Sequence, residues 1–139
     1  MEYQISRFGQ HVVVRWHETP TRASVEALYL EVDAAFKAAG EPLVCFVVIS
    51  TDNADLPGAE ARHAFQKIQR AIYDRSASIE FVLIGSSIRT GLVRTMLRAM
   101  SLVTRVGDRV RIHAGPEEAL KGRNLPIEVA AALRGTPLS

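Results

Sequence analysis

The run Leu43-Val44-Cys45-Phe46-Val47-Val48-Ile49 decides the fold. Seven consecutive apolar residues, mostly β-branched or aromatic, leave no polar face for water, so the run is expected to be a strand covered on both sides. Strands of that kind belong to parallel sheets with helices packed over them. Cys45 falls inside the run and reads as a small buried hydrophobe rather than a nucleophile. It is the one cysteine of the chain, so it forms no internal disulfide.

Outward from this strand the hydrophobic period alternates. On the N-terminal side, Val25, Leu28, Tyr29, Val32 and Phe36 recur every three or four residues, which predicts an amphipathic helix over Arg22–Ala39. It opens near Thr19-Pro20 and is closed by Gly40. Before it, Tyr3–Phe8 and His11–Trp16 alternate with period two around Gly9-Gln10, the pattern of a β-hairpin. On the C-terminal side, residues 50–58 are a polar loop, and Ala61, Phe65, Ile68 and Ile72 mark a second helix. Residues 79–84 form a further short apolar strand, residues 89–103 a third helix, and Val110–His113 a last strand. Pro116-Glu117-Glu118 suits a first helical turn, with acidic residues favoured there by the helix dipole. Residues 125–133 are expected to add one more short helix. The order β-β-α-β-α-β-α-β-α predicts an α/β fold: an N-terminal hairpin, then alternating βα units, in a mostly parallel or mixed sheet with helical cover.

The 139 residues suffice for one core, and the 47% apolar and 23% charged content is that of an ordinary globular domain. No low-complexity stretch or internal repeat is present, and no run approaches a membrane span. The N-terminus carries no basic-then-apolar leader, which predicts a cytoplasmic protein. The net charge of +2 hides an asymmetry: residues 1–87 hold 8 Lys/Arg and 11 Asp/Glu, residues 88–139 hold 9 and 4. A basic half of this kind meets either solvent or an acidic partner.

Three places carry a family likeness: the strand end Val47-Val48-Ile49-Ser50, the following Asp55-Leu56-Pro57-Gly58, and Gly115-Pro116-Glu117-Glu118-Ala119-Leu120. With the order of elements they resemble the STAS domain of the bacterial anti-sigma factor antagonists and related STAS-like and CRAL-TRIO-like small proteins. The likeness spans roughly residues 3–122, with residues 123–139 as a C-terminal extension. The resemblance implies a regulatory protein-interaction module whose loop ends in Asp-Ser-x-Gly, the Ser being phosphorylated by a partner kinase. Here Asp55 and Gly58 match, but Leu56 stands at the Ser position and has no hydroxyl to accept a phosphate. Ser50 and Thr51 are the nearby hydroxyls that would substitute, and both residue types also serve simply as turn formers.

No catalytic set stands out. His11, His17, His63 and His113 are scattered without metal-ligand spacing and read as surface histidines. Asp52 and Asp55 lie where open α/β sheets place ligands, yet aspartates in turns need no such role. Gly85-Ser86-Ser87 begins a strand-to-helix loop whose N–H groups would suit an anion, with an ordinary cap by Ser86 or Ser87 as the plain alternative. In the third helix, Arg94, Arg98 and Arg105 fall within about 40° of one another at 100° per residue. Leu92, Met96 and Val103 are expected to anchor that helix while the arginines meet an acidic partner or solvent.

These residues predict a non-catalytic module. Its partner surface comprises the loop Ser50, Thr51, Asp52, Asp55, Leu56 and Gly58, the turn at Ser86 and Ser87, and the stripe Arg94, Arg98 and Arg105. The expected partner is a regulatory protein, of kinase or anti-sigma-like type, with no cofactor and no metal. Nucleic acid is disfavoured because no aromatic residues interleave with the basic ones. The alternative is a pocket for a lipid or other apolar molecule between helices and sheet. A homodimer is compatible with either reading.

Overall fold

The computed structural model describes residues 3–50, 57–85, 88–104 and 109–135, the side chains of 73, 88, 89 and 100–104 excepted. The elements are β1 (Tyr3–Phe8), β2 (His11–Trp16), α1 (Arg22–Ala39), β3 (Leu43–Ser50), α2 (Ala59–Ile72), β4 (Ser76–Ile84), α3 (Ile88–Thr104), β5 (Val110–His113), α4 (Pro116–Leu120) and α5 (Ile127–Arg134). One sheet contains the five strands in sequence order, β1-β2-β3-β4-β5. β1 and β2 pair antiparallel as the hairpin, and every later pair is parallel. The protein is therefore an α/β fold with a mixed sheet, as the alternation of periods predicts.

Sequence order across the sheet has a geometric consequence. Each crossover steps one strand the same way and is right-handed, so the crossover helices must fall on the same face. The packing agrees: Val25, Leu28, Val32 and Phe36 of α1, Ala61, Ala64 and Ile72 of α2, and Val93 and Leu97 of α3 share one core with Val12, Val14, Cys45, Val47, Ile79 and Phe81. The opposite face of the sheet is covered by α4 and α5, whose Ala119, Val129 and Leu133 close over Val13, Phe46, Val48 and Val82. β3 lies in the middle with a core on either side, which is why its sequence tolerates no polar residue before Ser50.

Local chemistry fixes the helix ends. Thr21 caps α1: its Oγ1 accepts from the Ser24 N–H while Ser24 Oγ accepts from the Thr21 N–H. A reciprocal cap of this kind stabilises a helix by about 1 kcal/mol. Gly40 ends α1 in the left-handed region at φ 66°, where a side chain would be strained. The expected α3 core needs correction. Val93 and Leu97 are buried, each 3% exposed, and Met96 packs partly against them, but Leu92 is 52% exposed. The inward stripe is rotated by one residue from the expected one; the Val103 side chain lies outside the described residues.

Candidate functional site

The parallel strands β2, β3 and β4 all end on one edge of the sheet, where α/β sheets place ligands and partners. Ser50, the last residue of β3, sits there paired in register with Ile84 of β4 and half-buried. Gly58 opens α2 on the same edge: its carbonyl accepts the first helical hydrogen bond, from the Arg62 N–H at 3.0 Å. Pro57 is buried just before it. Beneath them Pro20, Ile49, Pro57, Phe65, Phe81, Val93, Met96 and Leu97 enclose an apolar void of about 20 Å³. A second void of about 30 Å³ lies between α1, α2 and the sheet. Each has room for about one water.

α3 packs beside α2 on this face. Because Val93 and Leu97 are its anchors, Arg94 and Arg98, one position further on in each case, lie together on its flank, Arg94 half-buried and Arg98 exposed. The structure thus puts Ser50, Gly58 and the first turn of α2 together at the strands' carboxyl edge. Arg94 and Arg98 lie midway along α3 on the same helical face, on the flank opposite Met96, which packs toward Pro57 and Phe65. Thr51, Asp52, Asp55, Leu56, Ser86, Ser87 and Arg105 lie outside the described residues.

The opposite face holds a polar cluster that sequence reading missed. Glu80, in the middle of β4, is 0% exposed. Its carboxylate accepts from Arg123 Nη1 at 2.6 Å and Nη2 at 3.0 Å, and from Ser78 Oγ at 2.7 Å. His113 Nε2 lies 2.8 Å from Oε1. Arg123 in turn stands over the Phe46 ring, 5.4 Å from its centroid, and His11 stacks on the same ring at 6.4 Å. Burial alone would raise the Glu80 pKa; the hydrogen bonds from Arg123, His113 and Ser78, and the charge of Arg123, outweigh it and hold the carboxyl below its ordinary range. A carboxylate this fully engaged is a lock between β4, β5 and the α4–α5 connection, not an acid or base poised for substrate. The signal for it is a single acid inside an otherwise apolar strand, Ile79-Glu80-Phe81-Val82-Leu83-Ile84. His113, which reads as a surface histidine in the sequence, is instead largely buried, its side chain 13% exposed.

Among the described residues no three His, Cys, Asp or Glu side chains gather in a metal-binding group, and no helix is long and apolar enough to cross a membrane. No protein-family model matches the chain, and no curated protein matches it in sequence.

Proposed function

We propose that the protein is a non-catalytic STAS-like interaction module of bacterial signalling, binding a regulatory protein through the face formed by α2 and α3. One observation supports this above the rest: α1, α2 and α3 share one face of a sheet whose strands run in sequence order. That arrangement puts the first turn of α2 at the strands' carboxyl edge and the arginine flank of α3 further along the same helical face. The likeness of the local sequences to anti-sigma factor antagonists adds the kind of partner, a kinase or an anti-sigma-like protein. Arg94 and Arg98 supply positive charge to meet an acidic surface.

The test is affinity capture from the native cells with wild type and with Arg94→Glu/Arg98→Glu. The expected result is a signalling regulator recovered with wild type and lost with the variant, at an unchanged melting temperature. Equal recovery from both removes the α3 flank from the interface. An apolar molecule released from the purified protein by organic extraction would favour the small-ligand reading instead.

A further inference from the structure

The other side of α2 carries a feature independent of that reading. Between α1 and α2 runs an open groove of about 930 Å³. Its walls carry Tyr29 and Leu30 from α1 and Ala64, Ile68 and Ala71 from α2, and the charged side chains lie toward the N-terminal ends and middle of the two helices, leaving the far end apolar. Leu30 is 70% exposed on its rim, an apolar side chain left to water at the edge of a hollow.

We propose that this groove is a self-association surface: a second copy of the chain docks on it, α1 of each copy lying along α2 of the other. The order of charges on the two rims selects this occupant. α1 and α2 are successive crossovers between parallel strands, so they run in the same direction. From its N-terminal end, the α1 rim reads Arg22, Glu26, Leu30, each four residues apart and so on one stripe. The α2 rim reads Glu60, then His63 and Lys67, then Ala71. One rim is cationic, anionic, apolar; the other is anionic, cationic, apolar. A two-fold axis along the groove lays each rim on its complement. Arg22 then meets the partner's Glu60. With a rise of about 1.5 Å per residue, Glu26 falls between the partner's His63 and the partner's Lys67, and Leu30 meets the apolar end. An axis across the groove would instead set Glu26 against the partner's Glu26. The two-fold repeats every favourable contact twice, as isologous interfaces do.

Within one chain the same charges are loosely held. Arg22 Nε lies 3.0 Å from Glu26 Oε1, both side chains about 60% exposed, and Glu60 adds to the raised Arg22 pKa from across the groove. Exposed pairs of this kind exchange partners at little cost.

The experiment uses the pattern itself. Arg22→Glu and Glu60→Lys are each made in the full chain and checked for native circular dichroism, and sedimentation is followed over a concentration series. Wild type is expected to double its mass as concentration rises, and each variant to self-associate at least about tenfold more weakly. An equimolar mixture of the two variants should dimerise again: the acid introduced at position 22 of one chain then faces the lysine introduced at position 60 of the other, and the untouched Glu60 and Arg22 face each other. Rescue by mixing separates contact between chains from contact within one, since each chain keeps its own internal defect. Leu30→Glu gives a second route to the monomer. The proposal is overturned by a wild type that stays monomeric throughout, by a dimer indifferent to Leu30→Glu, or by a mixture that does not recover. Native mass spectrometry showing a small molecule on a monomer, lost with Leu30→Glu, would also overturn it in favour of an apolar ligand. None of these results depends on Arg94 or Arg98, so the regulatory-partner reading stands or falls separately.

Discussion

Arg123 and Glu80 face each other edge to edge, two N–H donors on two carboxylate oxygens at 2.6 and 3.0 Å, with the carboxylate wholly removed from water. Forty-three residues separate them in sequence, so this pair ties the connection between α4 and α5 to a central strand. The planar guanidinium does this in a way lysine would not: it satisfies both oxygens at once and lays its flat face on Phe46. Ser78 and His113 complete the carboxylate's partners. The second face of the sheet is therefore held by an ionic centre inside an apolar frame, whereas the α1–α2–α3 face is held by apolar packing.

Removing the acid alone leaves a largely desolvated guanidinium without its partner. Glu80→Ala is expected to cost about 3 kcal/mol, in the range for breaking a buried ion pair from one side. Glu80→Leu with Arg123→Met, which removes both charges and keeps the volume, should recover most of that loss. Urea unfolding of the three chains measures it; a Glu80→Ala variant as stable as wild type would show that the pair holds nothing.

The pair also sets an acid limit. The folded Glu80 pKa lies below the ordinary value of 4.5, so its contribution to stability is fully present above that value. As pH falls through the window between 4.5 and the folded pKa, the unfolded chain binds the proton first, and the contribution is lost progressively. Stability measured from neutral pH downward should therefore drop below about pH 4.5, and drop less steeply in Glu80→Gln. Asp33 and Glu117 shift the same way through Lys37 and Arg75 and through Arg134; solvent screens most of the effect at the exposed Glu117, while the half-buried Asp33 adds to the same acid limb. Identical acid limbs in wild type and Glu80→Gln would assign the transition to other groups.

How far the chain can be read in advance follows from where each signal lives. Leu43 to Ile49 announces the central strand because burial on both faces removes every polar residue, and Gly40 announces the end of α1 because its φ of 66° suits glycine. Strand order is not legible: nothing in the periods says that β2 to β5 step one way across the sheet, since that is a property of which edges meet. Leu92 reads as core because a helix with apolar residues on several sides leaves its rotation undetermined; only contact with β4 and α2 makes Val93 and Leu97 the anchors. Arg123, at the start of the C-terminal extension, reveals nothing by itself, because its partner is a lone acid in a distant strand. The Glu60 and Lys67 charges carry no message as sequence until the direction of α1 beside α2 gives them an order.

Cys45 offers a simple check of the core. It is 3% exposed, and burial pushes its thiol pKa up to about 12. The thiolate is the reactive form, so the native protein should resist thiol-reactive dyes near neutral pH and take up one equivalent only on unfolding. Fast stoichiometric labelling of the native chain would mean that the α1–α2 face opens readily.

Arg15 and Gly135 together close the C-terminus of α5. Arg15 reaches from β2 and donates Nη2 to the carbonyls of Ala132 and Leu133, at 2.8 and 2.9 Å. A cation there satisfies carbonyls that the helix itself leaves open and favours the negative end of its dipole. Gly135 closes the helix in the left-handed region at φ 73°, its N–H donated back to the carbonyls of Ala131 and Ala132. A Cβ on Gly135 would come within 3.1 Å of the Arg15 guanidinium. Gly135→Ala is therefore expected to cost in two ways: about 1 kcal/mol for the left-handed backbone, and a further loss from displacing Arg15. The two are separable by a double-mutant cycle. In an Arg15→Ala background only the backbone cost remains, so Gly135→Ala should be less damaging there than in wild type. Equal costs in both backgrounds would show that Arg15 shifts freely and that the cap rests on glycine alone.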